Sequence, residues 1–433
     1  MTAPTAPPSH PQRALLHAEI HARPPQPITA PQAISHVVMW ADAPERDASH
    51  AHLAVLLQER GLAPPQAGST HWRVELGPLR VVCEMHTEFV SWTFATALAA
   101  PDGLGQEPPA AALSALPGEW LAGLPGQCLC RLNLWVLERR SHADGPLVAQ
   151  VLQEGTLVAS CVAGGQAEVY TDFALRADGS SRMVLLAGNL SPRRLGRTVQ
   201  RLLEMETYRM TALLGLPLAR DAAGALARAE RELAQLAEAI RLADRDAEPR
   251  LLDELTRLAG QVESLYAATH ARFSASSAYF DLVAQRIREL GETPLAGLQT
   301  LGEFMDRRLS PARNTCEWAV RRQNALSERV SRTSNLLRTR VEIAQQQSSQ
   351  QLLAAMNRRQ DMQLRLQSTV EGLSVAAITY YVVGLISYLA QGAQALGWPW
   401  SAPATAATAI PAVALAVWWS LRRMHRRLFR NMH

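Results

Sequence analysis

The sequence predicts an α+β cytoplasmic domain, then a long-helix/coiled-coil region, then two C-terminal transmembrane helices. Three observations carry that prediction. Short apolar runs separated by turn residues fill the chain up to about residue 216. Between Pro311 and Gly372 there is neither glycine nor proline over sixty positions, 312–371. No charged residue occurs in the fifty positions between Glu371 and Arg422. The bulk composition agrees with all three. A chain of 433 residues suits two or three structural units. Apolar residues at 48% and charged residues at 19% exclude a chain dominated by disorder. A mean hydropathy of −0.07 excludes a many-pass membrane protein.

The net charge is +4, and all 43 basic residues are arginine. The arginines are interleaved with 39 acids and form no long basic run before the C-terminus, so no nucleic-acid partner is expected. The five cysteines, Cys83, Cys128, Cys130, Cys161 and Cys316, contain no CxxC pair. That usage fits a reducing compartment and excludes a zinc ribbon. Residues 1–31 are proline-rich and lack the apolar core of a signal peptide.

The α+β domain, 32–216, reads as follows. Ile34–Trp40 is a strand, and Pro44 to Arg60 is a helix closed by Gly61. Trp72–Leu76, Leu79–Phe94 and Leu129–Leu137 are strands, with a loop over 100–118. Val148–Leu152 and Leu157–Val162 flank Gly155 as a hairpin. Val169–Leu175 and Met183–Leu186 flank a turn at Asp178 and Gly179. A helix opens at Ser191 and Pro192 and ends near Leu214. Over 217–310 a helical hairpin plus a short helix is expected. Leu226, Leu233 and Ile240 repeat every seven residues, Pro249 breaks the pattern, and a second helix reaches Gly291. The short helix covers Pro294 to Leu309.

A long stalk helix is expected over 311–372. Joined to the apolar segment, a rod from about 312 to 396 would be about 125 Å long. Propensity alone does not hold such a helix, so it must pack on neighbours or on copies of itself. Gln347, Ser348 and Gln351 form an uncharged polar layer, which is either a solvated face or a girdle at an oligomer axis.

The first transmembrane helix is expected at 373–396 and the second at 403–421, joined by a loop carrying Trp398 and Trp400. The basic tail, 422–433, holds five arginines and no acid, which places it and the bulk of the chain in the cytoplasm. Tyr380, Gly384, Ser387, Gln391 and Gln394 step by four and three along one face of the first span. That face either packs against another helix or lines a pore. In a pore, the glutamine carbonyls suit a hydrated cation.

Two trios alternate along the chain: His17, Glu19 and His21, then Glu84, His86 and Glu88. In an extended strand each trio points to one face. The groups then form either a polar hydrogen-bonded network or a site for a divalent cation or for acid–base chemistry. HExxH, GxSxG, Walker and GxGxxG motifs are all missing, so an enzyme is not expected.

The stretches Leu16–Pro24 (LHAEIHARP), Glu84–Phe89 (EMHTEF) and Val370–Tyr381 (VEGLSVAAITYY) resemble a bacterial family of unknown function, described as predicted membrane-anchored proteins. The order and length of elements also resemble the CorA-type magnesium transporters. That likeness implies a homopentamer in the inner membrane, with the long helix lining a cation path. Where that family carries Gly-Met-Asn, this chain has Gln391, Gly392, Ala393 and Gln394. The expectation is therefore a homo-oligomeric, two-span inner-membrane protein in a lipid bilayer, conducting cations. The alternative is a membrane-anchored cytoplasmic sensor or scaffold.

Overall fold

The computed structural model describes residues 9–13, 16–17, 25–65, 69–98, 109–139, 144–395, 397 and 399–430. The chain divides into two units, Met1–Leu242 with Asp253–Ser334, and Ala243–Leu252 with Asn335–His433. In chain order the elements are β1 (Gln32–Trp40), α1 (Ala43–Glu59), β2 (His71–Leu76), β3 (Leu79–Met85), β4 (Phe89–Ala97) and α2 (Gly118–Ala122). There follow β5 (Gln127–Glu138), α3 (Asp144–Val151), β6 (Val158–Val162), β7 (Ala167–Thr171), β8 (Ser181–Ala187) and α4 (Pro192–Leu213). Last come α5 (Gly215–Leu242), α6 (Glu248–Leu290), β9 (Thr293–Pro294), α7 (Leu301–Ala395) and α8 (Ala402–Arg430).

The first unit is α/β, built on a nine-stranded sheet in the order β2-β3-β4-β1-β5-β8-β7-β6-β9. The pairings are antiparallel except β5 with β8, which is parallel. Strand alternation sends side chains to two cores. On one face Ala33, Val37 and Met39 of β1 join Trp92 and Phe94 of β4 beneath α1, α2 and α3. On the other, Ile34 joins Leu132, Leu134, Met183 and Leu185 beneath α4, α6 and the start of α7. Trp92 and Phe94 are fully buried, and aromatic residues of this size each remove roughly 150–250 Å² from water.

Local signals set the helix starts. Asp42 and Glu45 form a reciprocal capping box on α1, each accepting the other's backbone N–H at 2.9 Å. Thr300 and Glu303 do the same for α7, at 3.0 and 3.1 Å. Gly126, at φ +93°, opens β5 where a Cβ would lie 2.4 Å from the Trp40 carbonyl oxygen.

Three expectations need correction. Val148–Leu152 belongs to α3 and its end, not to a hairpin strand. Val148, Val151 and Leu152 are spaced three and four apart, and that helical spacing buries them on one side. The reading of Leu79–Phe94 as continuous strand breaks at residues 86–88, where β3 turns into β4 and the His86 amide donates to the Phe89 carbonyl at 2.9 Å. The short helix at Pro294 to Leu309 is not separate. Residues 293–294 are strand, the helix starts at Leu301, and it continues through Pro311. Leu309 and Ala312 beside that proline are buried, so packing offsets the lost backbone hydrogen bond. The expected pairing of the two hairpin helices has a direct contact, Arg257 to Glu232 at 2.7 Å.

In the second unit, Arg340 pairs with the buried Glu248 at 2.6 Å. Both α7 and α8 are long and apolar enough to cross a membrane. Their apolar windows are 6% and 0% buried, whereas a soluble core helix would be mostly buried. That contrast favours lipid as their surroundings. At the far end of α8, Arg422 lies over the Trp418 ring at 4.7 Å and Arg423 over Trp419 at 5.0 Å.

Candidate functional site

The register of β1 to β4 stacks side chains into rows on the sheet face that α4 covers. His71, Glu84 and Ser91 form one row, Val82, Thr93 and His36 the next, and Arg80, Ala95 and Ile34 the third. Across from them α4 presents Gly196, Val199, Gln200, Leu203, Glu204, Thr207 and Tyr208. These steps of three and one make a single helical face. Sheet and helix do not close on each other, and a cavity of about 150 Å³ lies between them. A volume of that order holds a benzene-sized molecule. Gln26, Ile28 and Gln32 line its other side.

Gly196 makes that side wall. A Cβ there would sit 1.6 Å from the Gln26 carbonyl oxygen, so the chain at Gln26 and Pro27 crosses α4 where only glycine leaves room. The Ile28 amide then donates to the Pro192 carbonyl at 3.0 Å.

The polar groups are arranged in pairs. His71 Nδ1 lies 3.2 Å from Glu84 Oε1, and Ser91 Oγ donates to Glu84 Oε2 at 3.4 Å. His86 stacks on Phe89, with centroids 4.3 Å apart. Glu204 is held by Arg286 and accepts from Gln200 Nε2 at 2.8 Å. His36 is wedged between Thr93 Oγ1 at 2.8 Å and Thr207 Oγ1 at 2.9 Å. Burial pushes the His36 imidazole down to about 4, outweighing the pull of Glu84 and Glu206 in the other direction. His36 is therefore neutral at physiological pH.

The second trio is only partly assembled. Glu84 and His86 line the cavity, but Glu88 does not. The turn at 86–88 ends the strand alternation, and Glu88 faces α6 instead. There it takes a two-pronged pair from Arg272 at 3.0 and 3.1 Å and accepts from Tyr279 at 3.1 Å. Arg272 also lies over the Trp40 ring at 5.1 Å. Burial, and after it the Glu88 carboxylate, raise the Tyr279 phenol well above its ordinary value. Of the first trio His17 is exposed, and Glu19 and His21 lie outside the described residues. Among the described residues no group of three or more His, Cys, Asp or Glu is placed to hold a metal ion.

Gln347, Ser348 and Gln351 are exposed. So are Tyr380 and Gln391, while Gly384 and Ser387 are half-buried; the Gln394 side chain lies outside the description. The sequence reading missed His36, His71, Arg80 and the α4 face. One signal was available: His36 interrupts the apolar strand QAISHVVMW.

A family model described as "Protein of unknown function (DUF3422)" matches residues 8–428. No curated protein and no solved structure matches the chain.

Proposed function

The chain belongs to this family of unknown function, DUF3422, and we propose that it is a membrane-anchored receptor for a small molecule. The sheet cavity binds the ligand, and the apolar part of α7 together with α8 holds the protein in the inner membrane. The basic tail and the α/β unit face the cytoplasm. The observation that carries this reading is the cavity itself: a mostly apolar space with His71, Glu84 and His86 on one wall, where a purely structural sheet–helix contact would be filled by side chains. The full-length protein in detergent is to be melted with millimolar phenol, butyramide, benzylamine and benzoate. At least one probe should raise Tm by a few degrees, and Ala95→Leu, which fills the cavity floor, should abolish that shift. No shift with any probe overturns the receptor reading.

A second reading is cation conduction by several copies, in the manner of the CorA-type architecture. It is favoured by one continuous face of α7. From Leu366 the face steps by four and three through Val370, Leu373, Ala377, Tyr380, Gly384 and Ser387 to Gln391. Leu366 is 60% exposed, Leu373 72% and Tyr380 77%. A face that carries a tyrosine, a serine and a glutamine through lipid favours polar neighbours, and a homopentamer would gather the glutamines around a wet axis. Flux of a divalent cation into proteoliposomes, lost in Gln391→Ala, supports it. Flux missing from a well-folded oligomer leaves the receptor alone.

A further inference from the structure

The receptor reading leaves the ligand open. Resting on it, we propose that the cavity takes a small monocarboxylate with a hydrogen-bond donor on the adjoining carbon, a 2-hydroxy or 2-amino acid with a short apolar tail.

The cavity has two unlike ends. Successive rows on one sheet face are two residues apart, so the Arg80 row and the Glu84 row are separated by about 13 Å. Gln32 precedes Ile34 by two residues and lies beside the Arg80 end. There Gln32 Oε1 is buried with no hydrogen-bond partner, and the buried Arg80 Nε has only Glu75 Oε1 near it, at 3.5 Å. One is an acceptor and the other a donor. A buried acceptor without a donor is costly, and a bound donor is one way to satisfy it. Gln32 itself lines the cavity.

This end is also the electropositive one. The ion pair of Arg80 Nε with Glu75 spans 3.5 Å, and the Glu75 carboxylate is 70% exposed, so water screens much of it. A carboxylate is the group that a guanidinium fork recognises best, and the neighbouring O–H or N–H then meets Gln32 Oε1.

Ile34 and Ala95 stand beside Arg80, and Val82, Val199 and Leu203 continue the apolar wall, which suits a branched tail of four or five carbons. At the far end Glu84 is an acceptor already engaged by His71 and Ser91. A second carboxylate on the ligand would meet that charge, so dicarboxylates are excluded. Glu204 is occupied by Arg286 and Gln200 and does not compete for the ligand's charge at the Arg80 end.

Four compounds of one shape test this on the full-length protein in detergent, by calorimetric titration: 2-hydroxy-4-methylpentanoate, leucine, 4-methylpentanoate and 4-methylpentanol. One of the first two should bind about tenfold tighter than 4-methylpentanoate, and the alcohol should be weakest. Arg80→Gln should remove the preference for acid over alcohol while leaving the alcohol's affinity in place. Should Arg80→Gln fail to fold, Gln32→Glu decides, since its charge should weaken binding of 2-hydroxy-4-methylpentanoate and 4-methylpentanoate and spare the alcohol. If the alcohol binds as tightly as the acids, or if the four fail while phenol or benzylamine binds, the ligand class is wrong and the receptor stands. If none of these compounds binds, the receptor reading falls with it.

Discussion

Gly196→Ala should destabilise the α/β unit by about 3 kcal/mol, lowering Tm by roughly 5 °C, and should abolish probe binding in the cavity. The cause is backbone against backbone. The new Cβ would meet the Gln26 oxygen at 1.6 Å and its carbonyl carbon at 2.7 Å, and neither can rotate away. The crossing chain must lift off α4. Lifting breaks the Ile28 to Pro192 hydrogen bond and withdraws Ile28, now 7% exposed, from the core. Gly260→Ala is the matched control. Gly260 is exposed inside α6, and nothing lies within 4 Å of its Cβ position. There alanine should gain roughly 0.5–1 kcal/mol, because glycine in a helix interior loses more backbone freedom on folding. A Gly196→Ala protein that melts with the wild type refutes the close crossing.

Acid should weaken the fold through His36, well before most carboxylates titrate. The unfolded imidazole takes up a proton near its ordinary value of 6.5, while the folded one resists until about 4. Between those values the unfolded state binds more protons, so stability falls as pH drops through the window and is flat above it. The loss from this group should reach about 2 kcal/mol by pH 5 and about 3 kcal/mol by pH 4. The groups that face it are Glu84, His86 and Glu206, and the two carboxylates oppose the depression only in part. His36→Gln keeps a donor and an acceptor for Thr93 and Thr207 but does not titrate. It should cost about 1–2 kcal/mol at pH 7.5 and flatten the descent between pH 6.5 and 5. Parallel curves for the two proteins would assign the acid sensitivity elsewhere.

Wherever one short segment carries its own instruction, the sequence predicts the structure. Asp178 and Gly179 form a turn, as expected, but inside a nine-residue connection between β7 and β8, since the strand ends at Thr171 rather than Leu175. Pro192 opens α4, and Pro249 lies in the first turn of α6. The charge-free run after Glu371 becomes helix whose two apolar windows are 6% and 0% buried. Short apolar runs were harder. Val148–Leu152 fits a strand and a helix equally by composition, and burial against the sheet decides for the helix. Pro311 reads as a boundary, yet packing at Leu309 and Ala312 carries the helix past it.

By itself the sequence determined most kinds of element and their order, and a charge-free C-terminal run of fifty residues fit for lipid, because periodicity and charge are local properties of the chain. It also supplied Glu84 and His86 as chemistry-bearing residues. Tertiary structure alone decided that they face His71 and His36 while Glu88 turns away to Arg272. The physical reason is that a side chain's partner depends on which strands pair and in what register. That choice is fixed by long-range burial: β2 and β3 brought beside β1, and α4 laid across them at the single glycine that lets the chain pass.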